Sequence, residues 1–373
     1  MKRTYAVKEI ATFLYSTGDQ NDHTCSQQID GKKAHLHLQR LYNDDSQKEY
    51  YIKYTFNYKN DEITVHGFID GVLKENGNTI LEEIKSTREE LKKIDLDYHQ
   101  EHLSQLKLYA YLYGLINNMS IVPVRLTYIS VDDYKTKKFN FILTIDELKD
   151  FFYKSIDDYT RWHQTLSEAS TVKLDTLKDI TFPFANKRQG QSELMKATYL
   201  TMKANSILYA IAPTGIGKTM ATIFSTLKSM TKPNEKLFYL TAKTIGREVA
   251  IDSFRMLQNE GLKLHAIVIS SKAKSCASKM QHCDPEKCSF AKGYFSRLRQ
   301  AIEDIYTNEI LYNQETIMKY ALKYNICPFE YSLDLSYFCD AIICDYNYVF
   351  DPHVRLQRYF ADGERGEYIF LVD

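Results

Sequence analysis

The segment Ala212-Pro213-Thr214-Gly215-Ile216-Gly217-Lys218-Thr219 constrains this chain more than any other. Glycines at 215 and 217 let the backbone wrap closely, so that its N–H groups point at an anion. Lys218 adds a cation where the outer phosphates of a nucleotide would lie, and the Thr219 hydroxyl can ligate Mg²⁺. An apolar run, Ile207-Leu208-Tyr209-Ala210-Ile211, precedes the loop, and Met220 to Met230 continues it as a helix. That helix aims its N-terminal dipole at the same anion. A strand, a glycine turn and a helix in this order imply an α/β fold with a parallel sheet covered by helices.

The 373 residues suggest two domains. In residues 1–170 the pattern predicts a helix over Gly31–Tyr42 and strands over Tyr50–Tyr58, Glu62–Asp70 and Thr79–Lys85. The turn Lys74-Glu75-Asn76-Gly77-Asn78 has hairpin chemistry. A long helix over Tyr98–Leu115, a strand over Val124–Val131 and a helix from Ile145 to about Leu166 follow, giving the order α-β-β-β-α-β. The polar stretch Ser167–Lys178 reads as a linker, placed at 171–180, before a second domain at 181–373. There Ser206–Ala212, Leu237–Ala242 and Leu264–Ser270 read as strands in βαβ rhythm. No apolar run is long enough to span a bilayer, and Met1-Lys2-Arg3-Thr4-Tyr5 leads into no signal-peptide core, so no membrane and a cytoplasmic location are expected. With 48 basic and 48 acidic residues, a polyanion would have to be met by a local basic channel.

Ala212 stands where the first loop glycine is usual, and the variant A-x-T-G-x-G-K-T resembles superfamily-two helicases more than GTPases. Upstream, Arg188-Gln189-Gly190-Gln191 resembles the R-x-x-Q element of DinG-like helicases. That resemblance makes Gln191 the adenine reader, through the paired donor and acceptor of its amide. ATP is thus the expected cofactor, with Arg188, Gln191, Thr214, Gly215, Gly217, Lys218 and Thr219 around it. Four of the 7 cysteines, Cys276, Cys283, Cys288 and Cys327, fall in one segment of this domain. Thiolates in such a group suit zinc or an iron–sulfur cluster. Their position resembles the four-cysteine [4Fe–4S] insertion of the XPD family, here 271–335, with Cys327-Pro328-Phe329 similar to its last ligand segment. Cys339 is the alternative to Cys327, whereas Cys25, Cys339 and Cys344 are otherwise expected to be structural. Asp345 to Pro352 resembles the segment before the acidic box of these helicases. The run Tyr368-Ile369-Phe370-Leu371-Val372-Asp373 resembles the start of the D-E-A-H box itself, making Asp373 a Mg²⁺–nucleotide contact. Because the sequence stops at that Asp, a fragment of a longer helicase without ATP turnover is expected. Lys243 to Arg247 would touch the DNA backbone by the same resemblance.

In the first domain Asp70 ends one strand, and alternation places Glu83 and Lys85 on one face of the next. Two carboxylates can hold Mg²⁺ or Mn²⁺, and a lysine can orient the water that such an ion activates. The pattern matches D…(D/E)-x-K. Three further segments resemble the RecB-like branch of the PD-(D/E)XK nucleases: Gly31-x-x-x-His35, whose His is an extra metal ligand, Gly67-x-x-Asp70, and Gln105-x-x-x-Tyr109, which lines the site. Glu82 faces away by alternation and His37 breaks the spacing. Together the chain resembles a bacterial DinG/XPD-like DNA helicase with an N-terminal restriction-endonuclease-like α/β domain and a RecA-like P-loop domain. The resemblance implies 5′-to-3′ movement on single-stranded or forked DNA and a role in repair or recombination. The nuclease domain would be active or an inert DNA clamp; a non-catalytic module binding DNA and nucleotide is the remaining reading. The sequence names no protein partner.

Overall fold

The computed structural model describes residues 1–20, 26–242, 244–278, 283–361 and 366–373. Two units emerge, residues 1–162 with 283–299, and residues 163–282 with 300–373. The segment expected as one insertion at 271–335 is therefore divided. Residues 283–299 join the first unit, where the Gln20 N–H donates to the Ala291 carbonyl at 2.9 Å and the Phe295 N–H to the Gly18 carbonyl at 3.2 Å.

The first unit is built on a six-stranded mixed sheet. In chain order its elements are β1 (Lys2–Ala6), α1 (Val7–Tyr15), α2 (Ser26–Gln39), β2 (Gln47–Tyr58), β3 (Asp61–Glu75), β4 (Asn78–Thr87), α3 (Gln100–Ile116), β5 (Ile121–Ser130), β6 (Thr136–Thr144) and α4 (Ile145–Asp179). The expected hairpin joins β3 to β4, with Asn76 and Gly77 both at positive φ. β4 and β5 run parallel, which requires a crossover, and α3 supplies it. Leu106, Leu108, Ala110 and Leu112 are all buried, so α3 is apolar around most of its circumference, as a helix inside a core must be.

β3 is the organising strand. One edge pairs with β2 along its length, whereas the other pairs with β1 over 62–66 and with β4 over 71–75. Residues 67–70 lie between those two partners. Ile69 and Val72, three apart, both enter the same core cluster, so the in–out alternation slips by one residue between them. On β2 the slip falls opposite Glu49, a non-glycine residue at φ 50°.

The second unit carries five parallel strands: β7 (Lys236–Leu240), β8 (Ala266–Val268), β9 (Leu311–Tyr312), β10 (Ala341–Cys344) and β11 (Tyr368–Val372), ordered β11-β7-β10-β8-β9. α5 (Gln191–Lys203), α6 (Lys218–Ser229) and α7 (Thr244–Asn259) precede or connect them. Ile223 and Leu227 of α6 and Phe254 and Leu257 of α7 pack on Leu237, Tyr239, Val268 and Ile343. The continuous apolar strands fit a sheet covered on both faces.

Two expectations fail here. Residues 206–212 form no strand; Ile207, Tyr209 and Ile211 are exposed, the last fully. An apolar run does not carry its own partner strand, and among the described residues β11 is bonded to β7 alone. Nor is 167–178 a linker, because α4 runs unbroken to Asp179. Its inward face holds Leu177 and Lys173, which is 1% exposed and reaches Asp340 at 2.7 Å and the Pro233 carbonyl at 2.7 Å.

Asp340 also accepts from the His265 N–H at 3.1 Å, and the His265 ring stacks on Tyr306 at 3.9 Å. Burial pushes this imidazole down to about 4; Asp340 opposes that shift and Lys173 reinforces it. From the ordinary value near 6.5 down to about 4, the unfolded chain therefore binds a proton that the native unit refuses, and stability falls as pH drops. Urea unfolding at pH 7 and pH 4.5 should show His265 contributing about 2 kcal/mol of acid destabilisation. The His265→Phe variant should lack that component.

Candidate functional site

The expected catalytic residues of the first unit converge. Lys85 Nζ donates to Glu83 Oε1 at 2.7 Å and to Gln105 Oε1 at 3.2 Å. Tyr109, one turn beyond Gln105 on α3, hydrogen-bonds the Gln105 side chain and the Phe68 backbone. Its hydroxyl occupies the space a Cβ at Gly67 would need, so the glycine of Gly67-x-x-Asp70 is required by close approach rather than by a turn. Asp70 Oδ2 accepts from the Ile84 N–H at 2.7 Å, a side chain standing in for a ladder acceptor where the strands change partner.

The electrostatics are those of a site short of positive charge. Burial, then Glu83, raises the Asp70 carboxyl well above the usual range. Burial raises Glu83 as well, with Lys85 opposing. Burial works against the Lys85 ammonium, but Glu83 and Asp70 more than offset it, and its pKa lies above the ordinary lysine value. Two carboxylates thus share one lysine. Glu83 is 1% exposed and, among the described residues, its Oε2 has no hydrogen-bond partner, an orphaned acceptor of the kind a hard cation would satisfy. His35 is pushed down to about 4 by burial and by the Lys85 charge, which leaves a neutral imidazole able to act as a ligand. Among the described residues, however, no three His, Cys, Asp or Glu side chains are gathered to hold a metal, so His35, Asp70 and Glu83 do not form a closed set.

Glu82 is structural, accepting from Tyr42 and Thr127 hydroxyls at 2.5 Å each, and His37 stacks on Tyr134 at 4.4 Å. Sequence reasoning missed Gln39 and Glu49. The Gln39 amide donates to Glu49 Oε1 and to the Asp70 carbonyl, both at 3.0 Å. Glu49 adds negative charge that raises Asp70 and Glu83 further. The signal available was Gln39 one turn after His35 on α2.

In the second unit the phosphate loop has both glycines in left-handed conformation, Gly215 at φ 87° and Gly217 at φ 77°. Lys218 Nζ donates to the Ala212 carbonyl at 3.0 Å, while Thr214 is exposed. The Arg188 guanidinium donates to the Gly215 carbonyl. The Gln191 amide accepts from the Arg188 N–H at 3.1 Å and donates to the Gly217 carbonyl at 3.3 Å, so both its ends are turned to the protein. Tyr239, which belongs to no sequence motif, donates to Asp373 Oδ2 at 2.9 Å and lies 3.5 Å from Thr219 Oγ1. It brings the two expected Mg²⁺ contacts to one place. Lys243 and Cys25 fall outside the described residues; Arg247 reaches Ser270 Oγ at 3.4 Å.

Cys276 ends the short α8 (Lys272–Ser275) and Cys327 caps α11 (Pro328–Leu335), which follows α9 (Tyr294–Asn308) and α10 (Gln314–Tyr324). Both belong to the second unit, whereas Cys283 and Cys288 belong to the first. No metal-holding group of cysteines is found among the described residues. Cys339, the alternative to Cys327, donates to the Leu335 carbonyl at 3.3 Å inside the core, and Cys344 lies buried in β10.

Comparison with known proteins gives two family matches. Residues 13–192 match the PD-(D/E)XK nuclease superfamily, and residues 257–370 match DEAD_2. No curated protein matches the chain. Among solved structures, the chain is similar to a crystal structure of SSO0001, at 16% identity and TM-score 0.28, over 41% of this chain and 75% of that one. It is similar to an XPD helicase at 20% identity and TM-score 0.37, over 51% of this chain and 32% of that one. For a truncated XPD the figures are 18%, 0.33, 48% and 51%. The chain thus spans about a third of the helicase and half of its truncated form.

A Cβ at Gly217 would lie 2.5 Å from the Gln191 amide nitrogen, and one at Gly190, also at φ 77°, would meet open space. Gly217→Ala should therefore weaken binding of a fluorescent ATP analogue at least tenfold, on the order of 1.4 kcal/mol. Gly190→Ala should leave binding within about twofold and lower stability alone.

Proposed function

We propose that the chain joins a metal-dependent DNA nuclease to the phosphate-binding part of an ATP-driven, 5′-to-3′ helicase motor acting on single-stranded or forked DNA in repair or recombination. The Glu83–Lys85–Gln105–Tyr109 network beside buried Asp70, with Glu83 Oε2 left open, carries the nuclease reading.

Asp70 and Glu83, with His35 nearby, would hold Mg²⁺ or Mn²⁺, which when bound lowers the pKa of its water and balances charge on the scissile phosphate. Lys85 has three donors, of which Glu83 and Gln105 take two. The third can orient the attacking water or a phosphate oxygen. Gln105, held by Tyr109, fixes the ammonium in place, so both are positioning residues in this reading.

In the second unit Lys218 and the glycine backbone would grip the triphosphate of ATP, Thr219 and Asp373 would share Mg²⁺, and Arg188 and Gln191 would brace the loop from outside. The contacts among Thr219, Tyr239 and Asp373 support this assignment. A [4Fe–4S] cluster on Cys276, Cys283, Cys288 and Cys327 completes the proposal. Its support is the thiol chemistry of the four and their place within the residues matching DEAD_2.

With Mn²⁺ and a labelled single-stranded oligonucleotide, the parent chain should cut. Asp70→Ala and Lys85→Ala should each lower the rate about a hundredfold or more while DNA binding persists. A parent that binds DNA without Mn²⁺-dependent cutting would leave the unit an inert clamp. Anaerobic purification should yield about four iron and four sulfide per chain. Zinc or no metal would overturn the cluster.

A further inference from the structure

On β2 and β3 the residues that avoid the core make an ordered strip. Ile52, Ile63, Val65 and Ile69 are buried, and the alternate positions Tyr51, Lys53, Thr55, Thr64, His66 and Phe68 take the other face. They stand in three cross-strand pairs. Tyr51 opposes Phe68, Lys53 opposes His66, and Thr55 opposes Thr64. The order outward from Asp70 is therefore aromatic, basic, hydroxyl, with Phe68 two residues before Asp70 and Tyr51 two residues after Glu49. At about 3.4 Å per residue, the backbone of Phe68 lies roughly 7 Å along β3 from that of Asp70.

The aromatic pair is unusually open. Tyr51 is 51% and Phe68 54% exposed, although their ring centroids are only 5.0 Å apart. Aromatics placed for packing on this sheet behave otherwise: Tyr50, Tyr54, Phe56 and Tyr58 on the same strand lean against the core. The His66 ring approaches Tyr51 with centroids 6.3 Å apart, and Lys53 across from it supplies a cation. Exposed π faces with an adjacent ammonium and imidazole complement a base and its phosphate. An apolar protein surface would gain nothing from the Lys53 and His66 that follow.

We propose that Tyr51 and Phe68 form a stacking platform for unpaired bases of the DNA strand that enters the Asp70–Glu83 site, with Lys53 and His66 on its phosphates. A base inside a duplex keeps its faces covered by neighbours, so the platform selects single-stranded substrate without reading sequence. The proposal rests on the nuclease reading of this unit and adds its substrate class.

The test is photocrosslinking of the full chain to a single-stranded oligonucleotide carrying 5-iodouracil, in Ca²⁺ to hold the strand uncut, followed by peptide mapping. Adducts should fall on Tyr51 or Phe68, should fail with a blunt duplex, and should persist in Asp70→Asn. The variant Tyr51→Leu/Phe68→Leu should lose the adducts and bind an ordinary strand about tenfold more weakly, yet bind a strand of abasic nucleotides as the parent does. Both side chains are exposed, so an unchanged melting temperature serves as the folding control. Adducts without Mn²⁺-dependent cutting would sink the nuclease reading and leave the platform standing. Cutting without these adducts, or equal adducts on the duplex, would overturn the platform. So would a double variant that alters the chain's sedimentation rather than its DNA affinity, since the patch would then be a protein contact.

Discussion

Two buried carboxylates sharing one lysine set the terms for the first unit. Asp70 and Glu83 cannot both stay ionised beside Lys85 alone without a large desolvation penalty. The fold partly relieves Asp70 with the Ile84 N–H and Glu83 with the Lys85 ammonium, and among the described residues leaves Glu83 Oε2 without a hydrogen bond. A structural ion pair would be better served by removing one acid. Retaining both makes sense where a further positive charge arrives with the substrate or as a cation. The same shortage explains why the lysine is pinned by Gln105 and Tyr109: an ammonium free to swing would leave both acids exposed to each other.

The second unit is governed by a different constraint, the two left-handed glycines of residues 215–217, which side chains hold by the loop's own carbonyls. Lys218 is drawn back onto the Ala212 carbonyl, and Arg188 and Gln191 hold the loop by its own carbonyls. Each of those contacts satisfies a loop carbonyl, the group that glycine turns of this kind leave exposed. Tyr239 does similar work below, joining β7 to Asp373 and approaching Thr219. The loop is thus shaped by contacts that oppose its collapse, even though the preceding residues 206–212 lie in no ladder.

How far these arrangements can be read from sequence depends on whether their signals are local. Glu83 and Lys85 share a face because of strand alternation, and Gln105 and Tyr109 share one because of the helical turn; both relations are visible in the string. The partner of Lys173 is 167 residues away. A buried lysine therefore looks like a solvent residue, and the helical stretch around it like a linker. Residues 206–212 mislead in the opposite sense, since apolar β-branched residues announce a strand whether or not a neighbour is there to pair with it. Tyr239 and Glu49 belong to no motif; their roles come from what the sheet sets beside them. β6 escaped notice because Lys137, Phe139 and Phe141 alternate with residues that are exposed, and half-buried edge strands carry a weak pattern.

The position of Asp70 follows from the ladder rather than from the motif. A carboxylate buried in a continuous sheet would have to displace backbone pairing or go unsatisfied. On the edge of β3 shared by β1 and β4, residues 67–70 pair with neither strand, so a backbone donor in that gap has no ladder acceptor to meet. Ile84 supplies such a donor, and Asp70 meets it with a side-chain oxygen. On the opposite edge, Glu49 of β2 lies between the pairs Lys48–Gly71 and Tyr50–Ile69 with a left-handed backbone, the local strain that accompanies the slip in alternation. A strand that changes partners thus makes a place in this sheet where the Asp70 carboxylate can take up a backbone donor at little loss of pairing. Phe68 and Tyr51 still follow the regular alternation, outward beside buried Ile69 and Ile52, so the exposed rings end where the irregularity that holds the acid begins.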